Sequence, residues 1–145
     1  MRRPSQPRRP PGELAAVDVF VVPTLTFRLL FGFVILHHDR RELLHIGVSD
    51  IRQVVIAPRA PWQNSFAERV IGSIRRECLD LVIVLNERHL RRVLRGYLAY
   101  YNVTRPHQSL ANNSPRRRQA QPPLCGRLLA VPEAGGFHHR YHRAA

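Results

Sequence analysis

The sequence predicts an α/β fold in which strands come first and two helices follow. Three apolar segments, rich in β-branched and aromatic residues and separated by polar turns, predict a three-stranded antiparallel meander: 16–24, 28–38 and 43–49. The middle segment is a long apolar run, whose length alone leaves a strand or a helix open. A short further strand is predicted at 52–57, after which Pro58 and Pro61 interrupt the chain.

Two helices are predicted after the strands, because apolar residues recur there at helical spacing. The first covers about 64–80, and Asn64 or Ser65 can cap its N-terminus. The second covers about 87–102, with Asn86 as its cap. The residues expected in the buried stripes are Phe66, Val70, Ile74 and Cys78 in the first helix, and Leu90, Val93, Leu94, Tyr97, Leu98 and Tyr101 in the second.

The composition indicates a polyanionic partner. The 145 residues include 23 Lys or Arg and 10 Asp or Glu, which gives a formal net charge of +13. Nucleic acid is the simplest partner for that charge, and an anionic membrane surface is the weaker alternative. All the cationic residues are arginines, which bind phosphate bidentately, although a GC-rich genome also favours arginine. The apolar runs are too short to span a membrane, and two distant cysteines fit neither a zinc site nor a disulfide framework.

The chain is expected to form one domain with a tail at each end. Residues 1–12 are rich in Pro and Arg and are predicted to lack stable structure. Residues 13–111 contain all the predicted strands and helices. Residues 112–145 are predicted to be a tail rich in Pro, Arg and His.

Three blocks of the sequence resemble a known family. "PWQNSFAERVIGSIRRECLD" (61–80) resembles the third catalytic block of DDE transposases and retroviral-type integrases. "YYNVTRPHQSL" (100–110) resembles the YN-x-x-RPH-x-x-L signature that closes the same core in bacterial insertion-sequence transposases. "VDVFVVPTLTF" (17–27) resembles the first strand of that core. The resemblance covers about residues 13–111, and the two later blocks are specific in combination.

The resemblance implies a ribonuclease-H-like integrase core that cleaves phosphodiester bonds and transfers DNA strands with two divalent ions, normally Mg²⁺ or Mn²⁺. Asp18 and Glu68 would be the first and third metal-binding catalytic carboxylates. The residues implied in DNA binding are Arg59, Trp62, Gln63, Asn64, Arg69, Arg75, Arg76, Arg105 and His107. The partner would be DNA, with a homo-oligomer assembled on DNA ends and no membrane or small-molecule substrate. The expected location is the bacterial cytoplasm, at the nucleoid.

The second catalytic Asp of the family is missing from this sequence. Counting back from Glu68 by the family's spacing leads to Gly32 and Phe33, inside the second predicted strand. The helix, strand and helix that should precede 52–57 are absent, which corresponds to a deletion of about fifty residues. We therefore expect an incomplete core that is catalytically inactive, although Asp50 is an upstream acid that could take the missing place. A non-catalytic, basic DNA-binding remnant and a degraded reading frame are the alternatives.

Each candidate residue also has an ordinary structural interpretation. Asp18 could be a plain edge-strand residue, and Glu68 could be a carboxylate near a helix N-terminus that interacts with the helix dipole. The arginines on the second helix could form a solvated face or contact phosphate: Arg88, Arg91, Arg92 and Arg95. The histidine pairs lack zinc-site spacing and are expected on the surface or in the tail.

Overall fold

The first three strands form one antiparallel sheet. The computed structural model describes residues 15–37, 41–49, 61–119, 121–122 and 126–144. Strands β1 (Ala15–Pro23), β2 (Leu29–His37) and β3 (Glu42–Ser49) pair in the order β1-β2-β3. The predicted meander is therefore confirmed. The strand predicted at 52–57 lies outside the described residues.

Strand β2 shows why a long apolar run forms a strand here. It pairs antiparallel with β1 along one edge and with β3 along the other, so its backbone groups find partners on both sides. Alternate residues are buried beneath the two helices, namely Leu30, Gly32, Val34 and Leu36. The residues between them are half-buried on the opposite face.

Helix α1 (Pro61–Glu77) begins earlier than the sequence predicted. The prediction that Asn64 or Ser65 caps it is wrong, because both lie inside the helix. Proline suits the first helical position, since it lacks an N–H that would have no partner there and its φ is already helical. The helix ends at Glu77 rather than near residue 80 and is followed by a 3₁₀ turn at Leu79–Leu81.

Helix α2 (Glu87–Val103) follows the prediction closely. The side chain of Asn86 accepts a hydrogen bond from the His89 N–H at 2.9 Å and caps the helix as predicted. Both helices pack on the same face of the sheet, α1 mainly over β1 and α2 mainly over β3. No helix within the described ranges is long and apolar enough to cross a bilayer.

The predicted apolar stripes of the two helices fill the core. In α1, Val70 and Ile74 are buried together with Cys78, which directly follows the helix, and Phe66 packs against them at the margin. The four innermost side chains of α2 are buried against the sheet and α1: Leu90, Leu94, Tyr97 and Tyr101. The two tyrosines are therefore packing residues, as their spacing indicated.

Asn102, the amide residue of the "YYN" block, completes the edge of the sheet. Its Oδ1 accepts from the Leu43 N–H at 3.0 Å, and its Nδ2 donates to the Leu43 carbonyl at 2.8 Å. An amide side chain thus satisfies both backbone groups of an edge-strand residue, as a neighbouring strand would. This contact fixes the C-terminal end of α2 against β3.

The predicted tail contains a β-hairpin that the sequence analysis did not foresee. Strand β4 (Arg127–Glu133) pairs antiparallel with β5 (His138–Ala144). At its turn, the His138 ring stacks on Tyr100 with centroids 4.1 Å apart, and Nε2 of His138 donates to the Glu77 carbonyl at 2.8 Å. The hairpin is thereby attached to the C-terminal end of α1 and to α2.

Candidate nucleic-acid interface

A basic cleft of about 590 Å³ lies between α1, the turn before β3 and the loop after α2. We call it the basic cleft. The described residues that line it include no acid, and its cationic lining consists of Arg41, Arg69, Arg76 and Arg105, with His107 beside them. Its apolar wall includes Phe66, Val70 and Tyr101. Concave, cationic surfaces of this kind concentrate anions.

Two of these arginines share one aromatic ring. The guanidinium carbon of Arg41 lies 5.2 Å from the centroid of the Phe66 ring, and that of Arg69 lies 5.9 Å from it. Attraction to the ring keeps both cations near the cleft despite their like charge. Arg41, Arg69 and Arg76 make no salt bridge within the part of the chain that the structure describes. Among the described residues, no carboxylate compensates these three charges, which are therefore available to an anion.

Arg105 differs, because a carboxylate neutralises it. Its Nη2 donates to Oε1 of Glu77 at 2.6 Å, and its Nε donates to Oε2 at 2.8 Å. Burial opposes ionisation of Glu77, but the hydrogen bonds and charge of Arg105 outweigh it and hold the pKa of this carboxyl below its usual value. The Tyr97 hydroxyl also donates to Oε2 of Glu77 at 2.9 Å. Arg105 thus fastens the loop after α2 to α1.

His107 is buried at the base of the same loop. Its Nε2 lies 3.2 Å from the Tyr101 carbonyl, and its Nδ1 lies 3.4 Å from Nη1 of Arg105. Arginine can only donate, so Nδ1 accepts and Nε2–H donates, which is the pattern of a neutral ring. Burial lowers the pKa of His107, and the Arg105 charge acts in the same direction. At neutral pH this histidine contributes structure to the cleft rather than charge.

The lowered pKa values of His107 and Glu77 predict how the stability of the fold depends on pH. The unfolded chain binds a proton at His107 more readily than the folded chain does, so stability should fall as pH drops below about 6.5. Glu77 has a lowered pKa, so its contribution is present above about pH 4.3 and is lost as pH falls further. Urea unfolding between pH 8 and 3 measures both windows. His107→Gln should abolish the upper window and Glu77→Gln the lower one, and unchanged profiles would contradict these assignments.

The two predicted catalytic carboxylates, Glu68 in α1 and Asp18 in β1, do not line the basic cleft. Glu68 is exposed about two turns into the helix, beyond the first turn where the helix dipole acts. It shares a helix face with Arg75, seven residues later, and Nη2 of Arg75 donates to the Val21 carbonyl of β1 at 3.3 Å. Asp18 is half-buried in β1, where its Oδ1 accepts from the Val19 N–H at 2.8 Å. The face that carries Glu68 therefore points toward the strand that carries Asp18.

The described residues do not assemble a metal site around this pair. They contain no group of three or more His, Cys, Asp or Glu side chains that could hold an ion. Asp50 lies outside the described residues. Gly32 and Phe33, which stand where the second Asp was expected, lie in the middle of β2.

The structure brings together only part of the set predicted from the sequence. Arg69, Arg76, Arg105 and His107 line the basic cleft, whereas Arg75 points toward β1. Trp62, Gln63 and Asn64 lie in the first turn of α1, and Arg59 lies outside the described residues. Arg41 was not among the residues predicted from the sequence, where it falls in the turn before β3. The available signal was the arginine pair "RR" next to β3, but its partner Phe66 lies 25 residues away.

Comparison with known proteins supports the family resemblance seen in the sequence. Residues 49–115 match the integrase core domain family. The match includes the Glu68 and "RPH" blocks and begins after Asp18. The chain is also 34% identical over 65 residues to an uncharacterized 39.2 kDa protein of insertion element IS476 from Xanthomonas euvesicatoria. These findings support a transposase- or integrase-type protein.

The aligned region covers only part of this chain and only part of the relative. The aligned residues make up 45% of this chain and 19% of that relative, so the chain spans about a fifth of the relative's length. No solved structure matches the chain.

Proposed function

We propose that this chain binds the phosphate backbone of DNA as the remnant of a transposase core that has lost its catalytic activity. The observation that carries this proposal is the basic cleft, where three unpaired arginines converge without an acidic neighbour in the described lining. Arginine forks recognise phosphate oxygens bidentately. The role would be exercised on bacterial DNA in the cytoplasm, where such a protein could occupy DNA ends.

The donor chemistry supports loss of cleavage. A two-metal site needs several hard oxygen ligands at one place, and the family uses three carboxylates. Asp18 and Glu68 are two carboxylates, and the described residues supply no third donor to form a metal-binding group. These described residues alone therefore do not fit two Mg²⁺ ions, and the proposed function includes no cleavage or strand-transfer step.

A second candidate is a surviving DDE transposase activity in DNA integration. It is favoured by one observation, the orientation of the Glu68 face of α1 toward β1. Asp50 would then have to supply the missing carboxylate. This candidate requires metal-dependent nicking, which the DNA-binding remnant does not perform.

The proposal is tested by DNA binding of the full chain as a function of salt. Fluorescence anisotropy with a mixed-sequence duplex should give an affinity that falls steeply between 50 and 200 mM salt. Arg69→Gln combined with Arg76→Gln should weaken binding about tenfold and make the log–log salt slope shallower by about two. The matched control is Arg92→Gln with Arg127→Gln, which removes the same charge from exposed positions outside the cleft.

Two results would contradict the proposal. Affinity that does not depend on salt would exclude phosphate contacts as its source. Equal losses in the cleft variant and the control would mean that only the total charge matters. The same samples, incubated with Mg²⁺ or Mn²⁺, should show no nicking; nicking that disappears in Glu68→Gln would favour the second candidate, and Asp50→Ala would then identify the missing ligand.

A further inference from the structure

A second concave site lies at the start of α2, away from the residues of the basic cleft. It encloses about 590 Å³ between the β1–β2 turn and the first half of the helix. Its cationic lining is Arg28 from the turn and Arg88, Arg91 and Arg95 from the helix. We call it the α2 cleft. It shares no lining residue with the basic cleft.

Most of the positive charge in the α2 cleft has no partner among the described residues, although one acid, Glu87, also lines the cleft. Arg28, Arg88 and Arg95 make no salt bridge or side-chain hydrogen bond within the described parts of the chain. Arg91 is the exception, because it pairs with Glu87 at 2.6 Å and donates to the Val48 carbonyl at 2.7 Å. Three free guanidinium groups around one cavity repel one another, and an anion bound between them would relieve that repulsion.

The spacing of these arginines favours a row of phosphates over a single one. Arg88, Arg91 and Arg95 follow each other at i, i+3 and i+7, so they lie on one helix face over a rise of about 10 Å. A DNA strand carries one charge per roughly 3.4 Å of axis, so this row can face more than one phosphate. Arg28 lines the same cavity from the β1–β2 turn, and its backbone N–H donates to Thr24 Oγ1 at 3.1 Å within that turn.

We propose that the α2 cleft binds the phosphodiester backbone of a second nucleic-acid segment, so that one chain holds two segments at once. The α2 site itself is independent of the function proposed above. Only the simultaneous holding of two segments rests on that function. Contacts at the α2 cleft go to phosphates and therefore carry no sequence information.

The experiment measures bridging of two duplexes by the full chain. A biotinylated duplex on beads should retain a second, fluorescent duplex of unrelated sequence when the protein is present. Arg88→Gln with Arg95→Gln should reduce the retained fluorescence at least tenfold. In anisotropy, the same variant should keep its affinity for one duplex within about threefold, because the basic cleft remains intact. Arg69→Gln with Arg76→Gln should also lose bridging, while keeping binding through the α2 cleft.

Matched variants distinguish binding at the α2 cleft from an effect of the total positive charge. Arg92→Gln with Arg127→Gln removes two exposed arginines outside both clefts and should bridge like the wild type. Arg28→Gln removes the cation on the turn without altering the helix, and it should also reduce bridging. Circular dichroism melting of each variant establishes that the fold is retained.

Three outcomes would overturn the proposal. If the Arg88/Arg95 variant bridges two duplexes as well as the wild type does, the α2 cleft does not bind the second segment. An equal loss in the Arg92/Arg127 variant would reduce the effect to bulk charge. Phosphatidylglycerol vesicles that compete as well as DNA at equal phosphate concentration would identify a lipid surface instead. If the Arg88/Arg95 variant loses affinity for a single duplex and the Arg69/Arg76 variant does not, the α2 cleft is a DNA-binding site and the function proposed for the basic cleft is wrong.

Discussion

Replacing Glu77 with Ala is expected to lower the free energy of unfolding by about 2–4 kcal/mol. The side chains of Glu77 and Arg105 are only 25% and 21% exposed. Removing the carboxylate leaves a half-buried guanidinium without its counter-charge and a buried Tyr97 hydroxyl without its acceptor. An unsatisfied buried group costs more than the bond itself contributes, because it loses water as well as its partner.

The same chain provides a matched control for this prediction. Glu87 pairs with Arg91 at the same distance of 2.6 Å, but the two side chains are 38% and 43% exposed. Water solvates both partners when the pair is broken, so Glu87→Ala should cost no more than about 1 kcal/mol.

Urea unfolding at pH 7, followed by near-ultraviolet circular dichroism, measures both variants. Glu77→Gln should give an intermediate loss, since an amide oxygen can still accept from Tyr97 but carries no charge for Arg105. Equal, small losses for Glu77→Ala and Glu87→Ala would mean that the loop after α2 does not depend on this carboxylate. Full stability in Arg105→Ala would have the same meaning, because it removes the other half of the pair.

The elements that the sequence predicted correctly are those fixed by local pattern. The three strands and both helices follow from apolar spacing within each segment. Asn86 could be predicted as the cap of α2 because asparagine favours the N-cap position and stands directly before the helical pattern. The start of α1 was missed because two signals competed: Asn64 is a good cap, but Pro61 already satisfies the first helical position.

The hairpin in the tail could not be inferred in the same way. Both strands are short: β4 is mainly apolar but largely exposed, and β5 is mainly polar and partly buried, so neither shows an alternation of apolar and polar residues. Their placement depends on contacts far away in sequence, above all His138 with Tyr100 and with the Glu77 carbonyl. The sequence shows a histidine-rich tail, and only the fold shows which histidine has a partner.

The residues of the candidate site also separate into those predicted from local sequence and those whose role depends on distant contacts. Arg69 and Arg76 were predicted from the block that contains Glu68, and both line the basic cleft. Arg105 and His107 were predicted beside them, but their contacts with Glu77 and Tyr101 give them a structural role that spacing along the chain does not reveal. Arg41 was missed because it joins the site through Phe66, which belongs to a distant helix.

Replacing Gly32 with Ala should lower the free energy of unfolding by about 1–3 kcal/mol. Gly32 and Phe20 are cross-strand partners at the centre of the sheet, and the aromatic ring lies directly over the glycine. A Cβ at Gly32 would stand 2.3 Å from Cζ of Phe20, far inside van der Waals contact. Phe20 is only 3% exposed and is surrounded by the core, so its ring cannot move aside without displacing its neighbours.

Gly47 is the matched control, because the same crowding occurs there on the open face of the sheet. A Cβ at Gly47 would stand 2.6 Å from Cζ of Phe33. His45, whose Nε2 would stand 2.9 Å from that Cβ, is exposed, and the Phe33 ring is only half-buried. Both side chains can shift toward solvent, so Gly47→Ala should cost less than about 1 kcal/mol. In the Gly32→Ala background, Phe20→Leu should restore at least about 1 kcal/mol by removing the clash, a coupling that urea unfolding of the full cycle measures. Additive losses in that cycle would place the cost of Gly32→Ala in the backbone rather than in the ring above it.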